Sequence, residues 1–392
     1  MLDSIQIGVT GLAGYQQGLR VIANNTANLN TPGYKSSTLQ FADLFYSASP
    51  GGGRSDIQLG HGLDTTGTQL NFRPGDLRQT GNDFDLALDG EGLFALRDAQ
   101  GQMRYTRAGL FEFNGDGIFV NRADGSKVLA RDASDKLVEV SIAGLRTSAG
   151  KATSSGQFNG NLSSTLPEHT VSGLKVFDAV GGEHALSLKF TNTASETPGS
   201  WKVELLEGTT SLGSAELVFV DGRPSAATNK LVFTYTPSGQ AAQQLAFTFG
   251  ADVTSFAAGN LSTLALATQD GYAPGNLAKV VFDAAGTLVA TYSNGQTVKG
   301  PRLALGRFSS PDAVKELGGN LFAEAGGMAW QIGSAGEGGF GSVKAGMLEG
   351  SNVDLSREFS DLVVMQRGYQ ASSQVISTAN DMLQELFGMK RK

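Results

Sequence analysis

Residues 352–387 read NVDLSREFSDLVVMQRGYQASSQVISTANDMLQELF. Apolar or aromatic side chains recur in this stretch at alternating steps of four and three residues, with polar side chains on the intervening steps. The apolar members are Leu355, Phe359, Leu362, Tyr369, Ile376, Leu383 and Phe387, and the polar members are Gln366, Ser373 and Asn380. Such a spacing predicts a helix with one apolar seam, and its length favours helix-on-helix packing.

Both ends of this C-terminal helix carry residues that are typical of helix caps. Asn352 or Asp354 can cap its start, and Gly388 with the basic residues after it suits its end and its dipole. The sequence predicts a helix over 353–387, which at 1.5 Å per residue is about 50 Å long.

A second seam lies at the other end of the chain, over residues 3–30. Its members are Ile5, Val9, Leu12, Leu19 and Ala23, with Gln16 on one step. Thr31-Pro32-Gly33 follows, where proline disfavours continuation of a helix and glycine supports a turn. The sequence therefore predicts a helix at each end of the chain.

Two interpretations of these seams remain open. The two helices can pair within one molecule, or they can pack against neighbouring copies of the chain. Polar residues in a seam tend to fix register and partner choice, and no third long helix is predicted that could bury both seams. The predicted subunit-packing residues are Ile5, Val9, Leu12, Leu19, Asn24, Asn25, Asn28, Leu355, Phe359, Leu362, Gln366, Tyr369, Ile376, Asn380 and Leu383.

Between the ends, the sequence shows short alternating runs separated by Gly, Asn and Asp turns, and 53 of the 392 residues are glycine. Frequent short strands with turn signals indicate antiparallel sandwiches or barrels. Composition changes suggest an outer β domain over 148–271, inserted in an inner β domain over 72–147 and 272–345. Residues 36–71 are predicted as an extended linker, and 1–35 with 350–392 as a helical polymerisation domain.

Composition excludes several kinds of site. The net charge is −7, which gives no sign of a surface for nucleic acid. The chain has no cysteine, and its three histidines, His61, His169 and His184, share no motif. We therefore predict no catalytic residue, metal ligand, cofactor or small-molecule substrate, and hence a protein that is not an enzyme.

The densest acidic run, DFDLALDGEG over 83–92, contains Asp83, Asp85, Asp89 and Glu91. Its spacing differs from that of a calcium-binding EF-hand loop. It predicts instead a strand that ends in an Asp-Gly turn, and FNGDGIF over 113–119 predicts a hairpin turn.

Neither the chain nor its start carries a membrane or leader signal. No uninterrupted run of about 18 apolar residues is present. MLDSIQIGVTGLAG lacks the basic start and apolar run of a signal peptide. The expectation is a cytoplasmic protein or one exported without a cleaved leader.

Several segments resemble the bacterial flagellar rod and hook proteins. ANNTANLNTPGYK at 23–35 resembles their N-terminal signature, and 352–387 resembles their C-terminal signature. DFDLALDGEGLFAL at 83–96 and YTRAGLFEFNGDGIFVNRADGSKVLA at 105–130 resemble the β core of the longer members. The insertion, from GNLSSTLPEHTVSGLKVF onward, is similar to the outer domain of hook members, whereas the chain's opening is closer to some rod-type openings. A hook subunit is favoured, and a rod or hook-like basal-body paralogue is the alternative.

The resemblance implies a structural subunit that is exported by the flagellar type III apparatus and assembles outside the cell. It implies a helical homopolymer, with the terminal helices inside and the β domains outside, that serves as a universal joint between motor and filament. Partners implied in this way are other copies of the chain, the rod, the hook cap and the hook–filament junction proteins. Bending would require hinges between domains, for which Gly156 and Gly259 are the candidates.

The asparagines at the end of the first helix need an explanation, because Asn is a poor helix former. One hypothesis is that Asn24, Asn25 and Asn28 form directional hydrogen bonds between subunits, each with a net value of about 1 kcal/mol. The alternative is that they only terminate the helix.

Two functions of other classes also remain. A secreted adhesin-like binding module would account for the β domains but leaves the terminal seams unexplained. A hydrolase acting on cell-wall polymer would require the carboxylates of the acidic run to form a cleft pair.

Overall fold

The computed structural model describes residues 2–49, 57–308, 310, 313–325 and 330–389. The first part contains α1 (Leu2–Ala27), β1 (Ser37–Asp43), β2 (Tyr46–Ser49), β3 (Ile57–Gly60), β4 (Leu63–Leu70), β5 (Leu77–Gln79), β6 (Leu86–Asp89), β7 (Leu93–Arg97), β8 (Met103–Thr106), β9 (Phe111–Phe113), β10 (Phe119–Asn121), β11 (Lys127–Arg131), β12 (Leu137–Glu139) and a 3₁₀ turn at Ala143–Leu145. The middle contains β13 (Thr147–Ser148), β14 (Ser155–Asn161), β15 (Glu168–Phe177), β16 (Glu183–Asn192), β17 (Ser200–Glu207), β18 (Thr210–Val220), β19 (Arg223–Pro224), β20 (Lys230–Tyr235), β21 (Gln243–Thr254) and β22 (Ala265–Gln269). The last part contains β23 (Gly275–Phe282), β24 (Thr287–Tyr292), β25 (Thr297–Phe308), β26 (Val314–Gly318), β27 (Leu321–Glu324), β28 (Trp330–Ser334), β29 (Ser342–Ala345), β30 (Met347–Glu349) and α2 (Leu355–Met389).

The predicted fold class, mainly β with long helices at both ends that pack together, is confirmed. The C-terminal helix begins where its capping signal predicts. The Asp354 carboxylate accepts hydrogen bonds from the backbone N–H groups of Ser356 (2.9 Å) and Arg357 (3.3 Å), so Asp354 is the N-cap. Asn352, the other candidate, has a different role that is described below.

The chain divides into two compact units. The terminal unit comprises residues up to 143, 280–289 and those from 299 onward, and the middle unit comprises 144–279 and 290–298. The domain bounds predicted from composition stay predictions.

The middle unit contains two sheets around one apolar core. One sheet has the strand order β20-β21-β14-β22 and the other has the order β15-β16-β17-β18-β19. Alternate residues of both sheets point into the core, which includes Trp201, Tyr235 and Phe249. One pair departs from the antiparallel expectation, since β14 and β21 run parallel. About 80 residues separate these two strands in sequence, and strands that no short hairpin joins are free to pair in parallel.

In the terminal unit, the strand order β25-β11-β7-β8-β27-β26 forms an antiparallel sheet around Leu93, Tyr105 and Phe322. The two predicted turns are confirmed in this unit. β6 ends at Asp89, where Gly90 has a positive φ of 117°. β9 pairs with β10 across FNGDGIF, and the Asn114 side chain accepts hydrogen bonds from two backbone N–H groups of that turn.

The described residues of 37–49 and 57–70 form two antiparallel pairs, β1 with β4 and β2 with β3. The pair β1–β4 lies against α1. A Cβ atom added to Gly14 would lie 2.5 Å from Leu63 and 3.2 Å from Phe41. Much of this predicted linker is therefore strand that supports the first helix.

Candidate assembly surface at the chain ends

The helices α1 and α2 approach each other closely because glycines line their contact. A Cβ atom added to Gly8 would lie 2.6 Å from the Ile376 side chain, and one added to Gly18 would lie 2.9 Å from the Met365 sulfur. Gly11 is equally close to Ser372, and Gly368 of α2 lies directly over the ring of Tyr15. Glycine in a helix interior lowers stability by roughly 1 kcal/mol relative to alanine. Its repeated use at this contact indicates that each glycine leaves room for a side chain of the other helix.

The contact face of α1 is displaced by one residue from the predicted seam. It contains Gly8, Gly11, Tyr15, Gly18, Ile22 and Asn25, which are spaced three and four residues apart. Sequence reasoning missed this face because it followed the large apolar side chains. The glycine spacing at 8, 11 and 18 was the available signal.

Most of the predicted seam lies beside this contact and keeps access to solvent. Ile5, Leu12, Leu19, Leu362, Ile376 and Leu383 are half-buried, whereas Val9, Leu355, Phe359, Gln366, Tyr369 and Asn380 are exposed. Whether they pack against other subunits stays a prediction. Further large apolar side chains of α2 are exposed, among them Val364 at 61% and Phe387 at 68%. Within the described part of α2, only Glu358 and Ala379 are buried, so this 35-residue helix has a largely uncovered apolar surface.

The asparagines at the end of α1 have partners within the chain. Asn25 is 2% exposed, and its amide nitrogen donates to the Ser37 carbonyl (2.8 Å) and to the Glu358 carboxylate (3.0 Å). Its oxygen accepts from the Ser37 N–H (3.0 Å) and the Tyr34 hydroxyl (3.2 Å). Asn25 thus joins α1 to α2 and to the turn after α1.

The other two asparagines lie closer to solvent. The Asn24 amide donates to the Tyr34 hydroxyl (3.0 Å). The Asn28 amide donates to the Asn24 carbonyl (2.9 Å), and its oxygen accepts from the Thr31 hydroxyl (3.0 Å), which closes the helix end. A role of Asn24 or Asn28 between subunits stays a prediction.

A buried ionic network ties the turn after α1 to the strand before α2. Lys35 Nζ lies 2.6 Å from one oxygen of Glu349, and the Arg107 guanidinium contacts the other oxygen. The Glu349 side chain is fully buried, and it also accepts a hydrogen bond from the Gly75 N–H (2.8 Å). Arg107 donates in addition to the carbonyls of Leu88, Gly90 and Gly92.

The charges of this network depend on one another. Burial would raise the pKa of Glu349, but Arg107 and Lys35 more than offset it and hold the pKa below its usual value. Burial lowers the pKa of Lys35, which Glu349 opposes and Arg107 reinforces. The carboxylate therefore stays ionised because it has two cations, whereas each cation depends on this single carboxylate.

Backbone contacts complete the junction. The Asn352 oxygen accepts from the Ser36 N–H (2.7 Å), and its amide donates to the carbonyls of Asn71 (2.6 Å) and Arg73 (3.0 Å). The Gly33 N–H donates to the Glu349 carbonyl (2.8 Å). Gly33 has φ +69°, and a Cβ atom there would lie 2.4 Å from the Ala108 nitrogen, so no other residue fits. Sequence reasoning predicted the turn but missed Lys35, Arg107 and Glu349, which no local pattern connects.

The two glycines predicted as hinges lie in different settings. Gly156 is within β14, which pairs with β21 and β22, and it lies against Phe247 and Leu266. Gly259 is in a turn with φ +59°, with open space around its Cβ position. Their role as hinges stays a prediction.

The carboxylates of the acidic run contact separate cations. Asp85 pairs with Arg122 at 2.6 Å, and Glu91 lies 3.7 Å from Arg307. Among the histidines, His184 contacts Asp178 at 3.1 Å and His61 stacks on Phe45. Among the described residues, no three metal-ligating side chains form a group that could hold an ion, and no helix is long and apolar enough to span a membrane.

Three protein families match the chain in order. Residues 5–35 match "Flagella basal body rod protein", 87–165 match "Flagellar hook protein FlgE/F/G D1 domain", and 344–389 match "Flagellar basal body rod FlgEFG protein C-terminal". The outer two segments include α1 with its turn and α2 with the strand before it. The outer two matched segments therefore include Lys35 and Glu349, and the middle matched segment includes Arg107.

Whole-chain similarity agrees with these matches. The flagellar hook protein FlgE of Borreliella burgdorferi is 29% identical over 446 aligned residues, which cover all of both chains. That of Escherichia coli is 29% identical over 416, covering 97% of this chain and 98% of the relative. In fold, the crystal structure of the Helicobacter pylori flagellar hook protein FlgE2 has a TM-score of 0.52 at 13% identity, covering 71% of this chain and all of that one.

Proposed function

We infer that this chain, which belongs to the bacterial flagellar rod and hook family, is the structural subunit of the flagellar hook. The observation that carries this conclusion is the end-to-end correspondence with hook proteins, which includes the middle unit. A structural role also suits a molecule whose buried charges connect its own segments.

Self-assembly would bury the exposed apolar surface of the helix pair. One face of α2 is closed by the glycines of α1, and its other faces present Phe359, Val364 and Phe387 to solvent. Burial of apolar area stabilises association by about 25 cal/mol per Å². We propose that neighbouring copies cover this surface. In the assembled tube, α1 and α2 would then form the inner layer, and the β-sheets would lie outside it.

Torque transmission requires that the helices and the sheet of the terminal unit move together. The Lys35–Glu349–Arg107 network and the Asn352 hydrogen bonds connect both helix ends to β30 and to the segment after β4. We propose that this junction is the stiff element of the subunit. Bending of the hook would then come from sliding contacts between subunits and from the hinges predicted in the middle of the chain.

The protein is a component of the flagellum. We further propose that it is exported through the type III apparatus without a cleaved leader and assembles outside the cell. There it would contact the rod, the hook cap and the hook–filament junction proteins.

Deletion of the gene in its own bacterium, followed by electron microscopy of isolated basal bodies, tests this function. A hook subunit predicts complete rods that lack hooks, and restoration of hooks when the gene is returned. Basal bodies without a complete rod would instead identify a rod paralogue, and normal hooks in the deletion strain would refute both assignments.

A further inference from the structure

A cleft beside the start of α2 contains a buried carboxylate. The cleft has a volume of about 470 Å³ and lies between α1, α2, β1 and the segment after β4. Glu358 of α2 lines it and is 8% exposed. The cleft is open to solvent on one side, and Glu358 is part of its wall.

Among the residues that the structure describes, no cation forms an ion pair with Glu358. The Asn25 amide donates a hydrogen bond to Glu358 Oε1 at 3.0 Å. Arg73 and Arg357 also line the cleft, and Arg357 lies 3.9 Å from Asp361. In the described part of the chain, no basic side chain lies within ion-pair distance of Glu358. Burial raises the pKa of Glu358, and the nearby carboxylates of Asp361 and Asp354 add to this, while Asn25 and Arg357 oppose it.

A buried charge without a counter-ion is unfavourable, whereas the same charge with a well-placed partner can stabilise an interface. The contrast within this molecule is direct. Glu349, the other buried glutamate of the chain ends, has two cations, whereas Glu358 has no ion pair with any described residue.

The outward faces of the two helices carry exposed cations. Arg20 of α1 and Arg367 of α2 are exposed, and neither has an ion pair or hydrogen bond among the described residues. A guanidinium is suited to this cleft, because its long stem packs on apolar surface and its planar fork matches a carboxylate. Charge complementarity therefore points to a second copy of this chain as the occupant.

We propose that in the assembled hook the cleft receives an arginine of a neighbouring copy, Arg20 or Arg367, whose guanidinium pairs with Glu358. The pair fixes the axial position of one subunit against the next, since it forms at only one register. This proposal rests on the proposed function, because it requires that the chain polymerises.

The test compares polymerisation of full-length variants. The critical concentration is measured by sedimentation at fixed salt for the wild type, Glu358→Gln, Arg20→Gln, Arg367→Gln and the two double variants. Glu385→Gln, which removes an exposed carboxylate from the same helix, is the matched control. Glu358→Gln should raise the critical concentration by at least about tenfold, and one arginine variant should do the same. The double variant of the true pair should be no worse than either single change.

Thermal unfolding of the monomer separates an interface effect from a folding defect. Glu358→Gln should leave the unfolding midpoint unchanged or higher, because the amide needs no counter-ion. If that variant does not fold, the two arginine variants still test the proposal, because both positions are exposed. Normal polymerisation of both Arg20→Gln and Arg367→Gln overturns the proposal. Polymerisation of Glu358→Gln at the wild-type concentration also overturns it, as does additivity in both double variants. Failure of the wild type to form tubes at any concentration refutes the proposed function itself.

Discussion

Replacement of Glu349 by glutamine is expected to destabilise the terminal unit strongly. The substitution keeps the shape of the side chain but leaves the ammonium of Lys35 and the guanidinium of Arg107 buried without their shared anion. Removal of one partner from a buried ion pair costs about 3–5 kcal/mol. The loss should fall at the upper end of this range because one carboxylate serves two cations.

The chain has two tryptophans, one in each unit, and their fluorescence can report the unfolding of each unit separately. Trp330 belongs to the terminal unit and Trp201 to the core of the middle unit. In a Trp201→Phe background, fluorescence during urea unfolding therefore follows the terminal unit alone. In a Trp330→Phe background, the midpoint of the middle unit should not respond to Glu349→Gln.

A matched control is Glu139→Gln, which breaks a partly exposed contact with Lys127 (3.0 Å) in the same unit. Surface pairs of this kind contribute about 0–1 kcal/mol. Addition of Lys35→Met to Glu349→Gln should recover part of the lost stability, since it removes one unpaired charge. Equal effects of Glu349→Gln and Glu139→Gln, or a double variant as unstable as the sum of the single changes, would refute this account of the network.

The same network predicts a pH dependence. The pKa of Glu349 is lowered in the folded protein. Its contribution to the free energy of unfolding is therefore fully present above the pKa of glutamate in the unfolded chain, which is about 4.3. It is lost as the pH falls from there through the folded pKa. The stability difference between wild type and Glu349→Gln should thus be constant near neutral pH and shrink below about pH 4. A difference that grows on acidification would contradict the assignment.

Two further changes test the helix pair. Gly18→Leu should separate α1 from α2, because even a Cβ atom there would lie 2.9 Å from Met365; limited proteolysis should then cut the helices, whereas the exposed Gln17→Leu should leave them resistant. Asn25→Ala should lower the free energy of unfolding of the terminal unit by about 1–3 kcal/mol, since it leaves buried hydrogen-bonding groups of Tyr34 and Ser37 without a partner. Asn30→Ala, at an exposed position, is the control, and an equal loss there would argue against the role given to Asn25.

Local sequence patterns were sufficient to predict the two terminal helices and two of the turns, but they gave residues 36–71 as a linker, where β1 to β4 lie. The repeat at 355–387 predicted α2, which is Leu355–Met389, and the repeat at 3–30 predicted α1, which is Leu2–Ala27. The turn at Asp89-Gly90 and the hairpin at Asn114 were equally predictable. Periodicity and turn chemistry act over a few residues, so a single segment carries all the information they need.

Tertiary structure alone decided which faces meet and which charges pair. The α1–α2 contact follows glycines rather than the large apolar residues, because the side chains of the other helix occupy the space that a side chain at these positions would need. Glu349 pairs with Lys35 and Arg107, which lie 314 and 242 residues away in sequence. A lone lysine, arginine or glutamate has the same local signature whether it is solvated or buried. Only the folded chain excludes water from these three side chains and so makes their pairing necessary.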